Sequence, residues 1–139
     1  MILEQTEIND VILITPRVYK DERGYFMESY NQKKVDKLIK DKFVQDNESV
    51  SGKNVLRGLH LQLPPFEQAK LIRVVKGSVL DVAVDLRKDS TTFGKHFKHL
   101  LSGENKKQLY IPKGFAHGFL SLEDDTILYY KCSNYYHAD

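Results

Sequence analysis

Tryptophan is absent from this chain, cysteine occurs once and proline four times. The lone Cys132 excludes an internal disulfide, so the fold must rest on its core and its backbone pairing. No apolar run approaches the ~20 residues a bilayer requires. No basic leader precedes an apolar segment at the N-terminus, so a cytoplasmic, reducing setting without a membrane partner is expected. An excess of charge of one sign is missing too. Lys and Arg number 21 against 19 Asp and Glu, too even a balance to argue for nucleic acid. Low-complexity tracts, linkers and repeats are also lacking. The 139 residues suit one domain, 1–139, with a single core.

What is present is a series of short strand patterns broken by turn residues. "DVILITPRVY" is apolar up to Pro16, which suits an edge strand or a strand end. "DERG" reads as a turn and "YFMESY" as the strand that follows. "KKVDKLIKDK" predicts a short helix, with Asn31 as N-cap and Val35, Leu38 and Ile39 as its apolar stripe. "AKLIRVVKGSVLDVAVDLR" reads as a hairpin turning at Lys76–Gly77. Its second strand sets Leu80, Val82, Val84 and Leu86 on one face and Val79, Asp81, Ala83 and Asp85 on the other. With one short helix and no crossover helices, the pattern argues for an antiparallel sandwich or barrel rather than a parallel sheet.

The polar faces carry the chemistry. In "NVLRGLHLQLPP", period-two reading places Leu59, Leu61 and Leu63 on one side and Gly58, His60 and Gln62 on the other. Lys70, Asp81, Asp85, His117 and Tyr130 fall on neighbouring strands. If the sheets curl into a small barrel, such a face lines a pocket. His96, His99 and His137 have no supporting constellation and read as surface. Strict alternation puts Arg57 and His60 on opposite faces. For both to serve one ligand the strand must bulge between them, and Gly58 is the residue able to do so.

"PKGFAH" has the Pro-x-Gly-x-x-His form of the second half of the cupin signature. In metal-binding cupins the first half supplies His-x-His and a Glu. Here it reads His60-Leu61-Gln62, with Glu67 downstream, and an amide is a poor ligand for zinc or iron. No metal or other cofactor is therefore expected. A neutral His can accept a proton near pH 7, a Lys ammonium can stabilise an oxyanion, and a Tyr hydroxyl can return a proton. That set suits proton abstraction next to a carbonyl and reprotonation on the opposite face.

The strings "DERGYFMESY", "FVQDNES", "VLRGLHLQLPPFEQAKLIRVVKGSVLDVAVDLR", "LSGENKKQLYIPKGFAHGFLSL" and "YYKCSNYY" occur in an order that resembles the dTDP-4-dehydrorhamnose 3,5-epimerase family. The resemblance implies an all-β, cupin-type double-stranded β-helix (a jelly-roll barrel) with one or more short helices. It implies cofactor-independent epimerisation of a dTDP-4-keto-6-deoxyhexose at C3 and C5, in dTDP-L-rhamnose synthesis. By the same resemblance His60 is the base, Lys70 stabilises the enolate oxygen at C4 and Tyr130 is the acid. Arg57 binds the diphosphate, Gln45 and Asn47 contact the nucleotide, and Tyr136 packs on or near the thymine. His117 and Asp81 line the sugar pocket. Family dimers exchange N-terminal strands, which implies a homodimer in which Arg23, Phe26 and Glu28 reach the neighbouring subunit's site, Arg23 meeting phosphate and Phe26 the base.

Members of the family continue several tens of residues beyond the matching "YY", and that tail carries an aspartate that pairs with the catalytic His. The expectation is thus a chain lacking that segment, with Asp81 or Asp85 as candidate replacement partners of His60. Other readings stay open: a 3- or 5-mono-epimerase or ketoisomerase, a non-catalytic dTDP-sugar-binding cupin, and a metal-dependent cupin oxygenase or isomerase.

Overall fold

Two antiparallel sheets face one another in the computed structural model, which describes residues 1–138. The first has the order β1-β2-β10-β7-β12-β5 and the second β6-β11-β8-β9. Their members are β1 (Ile2–Gln5), β2 (Ile12–Thr15), β5 (Gln45–Ser51), β6 (Leu56–His60), β7 (Lys70–Lys76), β8 (Ser78–Asp85), β9 (His96–Ser102), β10 (Gln108–Ile111), β11 (Phe115–Ser121) and β12 (Thr126–Cys132). A separate ribbon, β3 (Val18–Asp21) paired with β4 (Gly24–Met27), belongs to neither sheet. Among the described residues, no helix is long and apolar enough to cross a membrane.

The core lies between the sheets. Ile72, Val74, Leu109 and Leu128 of the six-stranded sheet meet Val79, Ala83, Phe97, Leu101 and Phe119 of the four-stranded one. The outer face of the larger sheet is covered as well. There Ile12, Ile14, Leu71 and Tyr110 pack under Val35 and Ile39. This double burial explains why residues of both faces are buried along β2 and β10, including Gln108, rather than alternating with exposed ones.

The covering segment begins with α1 (Gln32–Val35), where the Asn31 side chain accepts from the Lys34 amide as the expected N-cap. The helix is only four residues long, and Leu38 is exposed rather than part of the buried stripe. Pro16 follows β2 directly, and the edge position on that side is taken by β1.

β7 and β8 do not form the expected hairpin. β7 pairs with β10 and β12, whereas β8 pairs with β9 and β11 in the opposite sheet. Gly77 alone carries the chain from one sheet to the other, at φ +81. A Cβ there would come within 2.3 Å of Thr126 Oγ1. A turn signal between two strand patterns looks the same in sequence whether the strands pair or part. The alternation in β8 itself holds, and its inward face is the one bearing Val79, Asp81, Ala83 and Asp85.

Candidate active site

The mouth of the barrel is shaped by a bulge in β6. His60 stands opposite His117 and Arg57 opposite Phe119, so Gly58 and Leu59 together face the single residue Gly118. Gly58 has φ +95, a region costly for any residue with a side chain. A Cβ on Gly58 would lie 2.5 Å from the His117 carbonyl oxygen and 2.8 Å from Gly118 Cα. The required irregularity between Arg57 and His60 is therefore present at the expected residue. Arg57 crosses toward β5, where its Nε donates to Ser51 Oγ (3.0 Å) and its Nη2 to the Val50 carbonyl (3.2 Å). The leucine side of the stretch is not half-buried as its period suggests. Leu59 is 56% exposed and Leu63 68% exposed, because no layer of the described residues covers β6 from outside.

His60 sits at the opening, its ring 6.4 Å from that of His117 and nearly perpendicular to it. Partial burial holds its pKa below the ordinary histidine value, with the charges of Lys70 and His117 acting in the same direction. Lys70 opens β7 and is buried, with its Nζ 5.7 Å from the centroid of the Tyr130 ring. Desolvation lowers the Lys70 pKa, opposed by Cys132 and Asp81. Burial raises the Tyr130 hydroxyl, opposed by the Asn47 amide and the Arg57 charge. Burial thus disfavours the charged form of all three groups, with His60 and Lys70 on one cavity and the Tyr130 ring beside Lys70 Nζ.

Behind them His117 Nε2–H donates to Asp81 Oδ1 at 2.8 Å, with both side chains buried. Asp81 Oδ2 has no hydrogen-bond partner. Neither candidate replacement for the family's aspartate meets His60: Asp81 is bonded to His117, and Asp85 is engaged elsewhere. Asp85 accepts from Arg87, Ser90 and Thr92. Burial pushes its pKa up, but those bonds outweigh it and hold the carboxyl well below the usual range.

A cavity of about 710 Å³ opens beside these groups, lined by His60, Gln62, Phe66, Lys70, Tyr136 and His137 among others. Gln45 and Asn47 lie on β5 at its side, hydrogen-bonded to each other (3.1 Å), and the Tyr136 amide donates to Gln45 Oε1 (3.1 Å). Tyr136 is 71% exposed on the rim. Of the expected site residues, His60, Lys70 and Tyr136 line this cavity. Tyr130 lies beside Lys70, His117 beside His60 with Asp81 bonded to it, and Gln45 with Asn47 beside Tyr136, while Arg57 is turned to Ser51 and Val50. Arg23, Phe26 and Glu28 do not line the cavity. Arg23 is paired with Asp21, Phe26 is 69% exposed on the β3–β4 ribbon, and Glu28 accepts from Lys34 and Asn31.

His137, which reads as surface in the sequence, stacks on Phe66 with ring centroids 3.6 Å apart and walls the cavity. Gln62, which stands where metal-binding cupins have a second imidazole, spends its amide on backbone groups of residues 66, 135 and 137. Among the described residues, no three His, Cys, Asp or Glu side chains are arranged to hold a metal ion. Nothing local in the sequence marks Phe66 or His137, since their meeting depends on segments 71 positions apart.

Fold and opening together define a cupin-type barrel with a pocket at its mouth lined by His60 and Lys70. The chain belongs to the dTDP-4-dehydrorhamnose 3,5-epimerase family, whose model matches residues 5–139. It is 57% identical over 134 residues to the dTDP-4-dehydrorhamnose 3,5-epimerase of Shigella flexneri, covering 95% of this chain and 74% of that protein. The crystal structure of the enzyme of the same name from Elizabethkingia anophelis superposes with a TM-score of 0.93 at 52% identity, over 99% of this chain and 76% of that one. The dTDP-6-deoxy-D-glucose-3,5-epimerase of Legionella pneumophila, solved in complex with dTDP-4-keto-L-rhamnose, gives 0.93 at 51% identity, over 97% of this chain and 72% of that one.

Proposed function

We propose that this protein epimerises dTDP-4-dehydro-6-deoxyglucose at C3 and C5 to dTDP-4-dehydro-L-rhamnose, in the synthesis of dTDP-L-rhamnose. The observation that carries the reading is that His60 and Lys70 line one cavity, with the Tyr130 ring 5.7 Å from Lys70 Nζ, in a chain of this family. The C4 carbonyl acidifies the hydrogens on both neighbouring carbons. His60 takes the proton from C3, and the electron pair of that C–H bond moves onto the C4 oxygen as an enolate. The Lys70 ammonium stabilises that oxyanion, in a site where burial strengthens the interaction. Tyr130 then delivers a proton to C3 from the opposite face, and the sequence repeats at C5. Hydrogens are exchanged with solvent through the two side chains, and the substrate's oxidation state is unchanged.

Arg57 suits the diphosphate because its fork is permanently charged. Gln45, Asn47 and Tyr136 serve the nucleotide, and the buried His117–Asp81 pair supports the sugar side. We assign the β3–β4 ribbon to exchange within a homodimer. Its exposed Tyr19, Tyr25 and Phe26 and its membership of neither sheet support that reading, with Arg23, Phe26 and Glu28 contributed to the neighbouring site. A cytoplasmic location fits an enzyme whose substrate is a nucleotide sugar.

The test is NMR of the substrate in deuterated water. Deuterium enters at both C3 and C5 with the native protein, and His60→Ala abolishes the exchange while dTDP still binds. A folded protein that exchanges neither position would overturn the assignment.

A further inference from the structure

The last described residues are not a loose end. They form one wall of the cavity, and a small set of side-chain amides binds them there. Gln62, two positions after His60, is the centre of that set. Its Nε2 donates to the Phe66 carbonyl (2.6 Å) and to the Tyr135 carbonyl (3.2 Å), while its Oε1 accepts from the His137 amide (2.9 Å). One side chain therefore satisfies three backbone groups from two segments separated by about half the chain. Tyr136 is tied to Gln45, Asn134 to Gln68, and Ser133 to Ala69 on either side of it. His137 is further laid flat on Phe66.

These contacts matter because Tyr136, His137 and Ala138 line the same cavity as His60 and Lys70. The segment is otherwise exposed and belongs to no strand, so burial contributes little to holding it. Hydrogen bonds to a planar amide with donors on one side and an acceptor on the other fix it instead.

We infer that Gln62 is a positioning residue of the epimerase site: its amide clasps residues 135–137 against the loop after His60 and keeps the wall of the nucleotide-sugar pocket closed. The inference rests on the function proposed above for its kinetic arm only. Losing the clasp leaves the wall open for part of the time, and the apparent affinity falls by the fraction that remains closed. Saturating substrate closes the wall again, so the binding parameter moves more than the turnover.

The experiment compares Gln62→Leu, which removes all three bonds, with Gln62→Glu. The second keeps an acceptor for the His137 amide but turns a carboxylate toward two carbonyl oxygens. It serves also if the leucine variant does not fold. Amide hydrogen exchange followed by NMR reads the clasp without reference to catalysis. We expect exchange at the His137 amide to speed at least about tenfold in Gln62→Leu, as three bonds of ordinary net strength imply. KM for the dTDP-4-keto-6-deoxy sugar should rise at least about threefold, with a smaller fall in kcat. In protein that shows no epimerisation the same rise is read in the Kd for dTDP, so that failure of the epimerase reading leaves the clasp testable. Unchanged His137 exchange in both variants overturns the inference. So does a lowered kcat with KM and Kd unchanged, which is what a purely structural role produces.

Discussion

Replacing Gly58 with alanine asks β6 to accept a methyl group where two backbone segments already meet. The new Cβ would stand 2.5 Å from the His117 carbonyl oxygen and 2.8 Å from Gly118 Cα, neither of which can rotate away as a side chain could. The residue would also be held at φ +95, where an L-residue pays about 1–2 kcal/mol. Relieving the contact requires β6 and β11 to separate, an overpacking cost of about 1–3 kcal/mol. Together these give a destabilisation of about 2–5 kcal/mol. For a domain of this size that lowers Tm by roughly 6–20 °C. Because His60 and Arg57 lie on either side of the bulge, the same change re-aims the imidazole, and epimerase kcat should fall by at least about a hundredfold, in keeping with the cost of a 1 Å misplacement. Thermal unfolding and deuterium incorporation into the substrate measure the two effects. A Gly58→Ala protein with Tm within 2 °C (about the shift expected from 0.5 kcal/mol) and near-native exchange would refute the reasoning.

Burial is the first cause that lowers the His60 pKa and the Lys70 charge the second, so Lys70→Met should let that pKa rise. The acidic limb of the pH profile of the residual deuterium exchange then moves to higher pH, and an unmoved limb contradicts the electrostatic link. Asp85 offers a separate test of stability. Its folded pKa lies below the unfolded one, so its contribution is full above about pH 4 and is lost as pH falls through the depressed value. Asp85→Asn, which leaves Arg87 with Asp10 as its remaining carboxylate partner, should cost about 1.5–3 kcal/mol near neutral pH in urea unfolding. It should also show a shallower loss of stability below pH 4 than the native protein, because the linkage has been removed.

Much of the barrel was legible residue by residue. The alternation in 78–85 put Asp81 and Asp85 on one face, and that face proved to be the inner one. Asn31 was readable as a cap because its side chain bonds a residue three positions away. Gly58 was readable as a bulge from parity alone, since Arg57 and His60 cannot otherwise share a face. In contrast, Lys76–Gly77 looked like a hairpin turn because a turn residue says nothing about which sheet receives the next strand. Leu59 and Leu63 looked half-buried because period two reports alternation without reporting whether a layer lies on the apolar side.

The site divides along the same line. The residue types of His60, Lys70 and Tyr130, their place on strands and the loop "PKGFAH" were determined by the sequence itself, through short-range periodicity and side-chain chemistry. Which partner each group received was not. Asp81 took His117, Asp85 took Arg87 with Ser90 and Thr92, and Gln62 took backbone groups at 135 and 137. Local pattern reaches only as far as a strand or a turn. A hydrogen bond across 36 or 75 positions is chosen by strand order and register, which exist only once the two sheets have closed on each other.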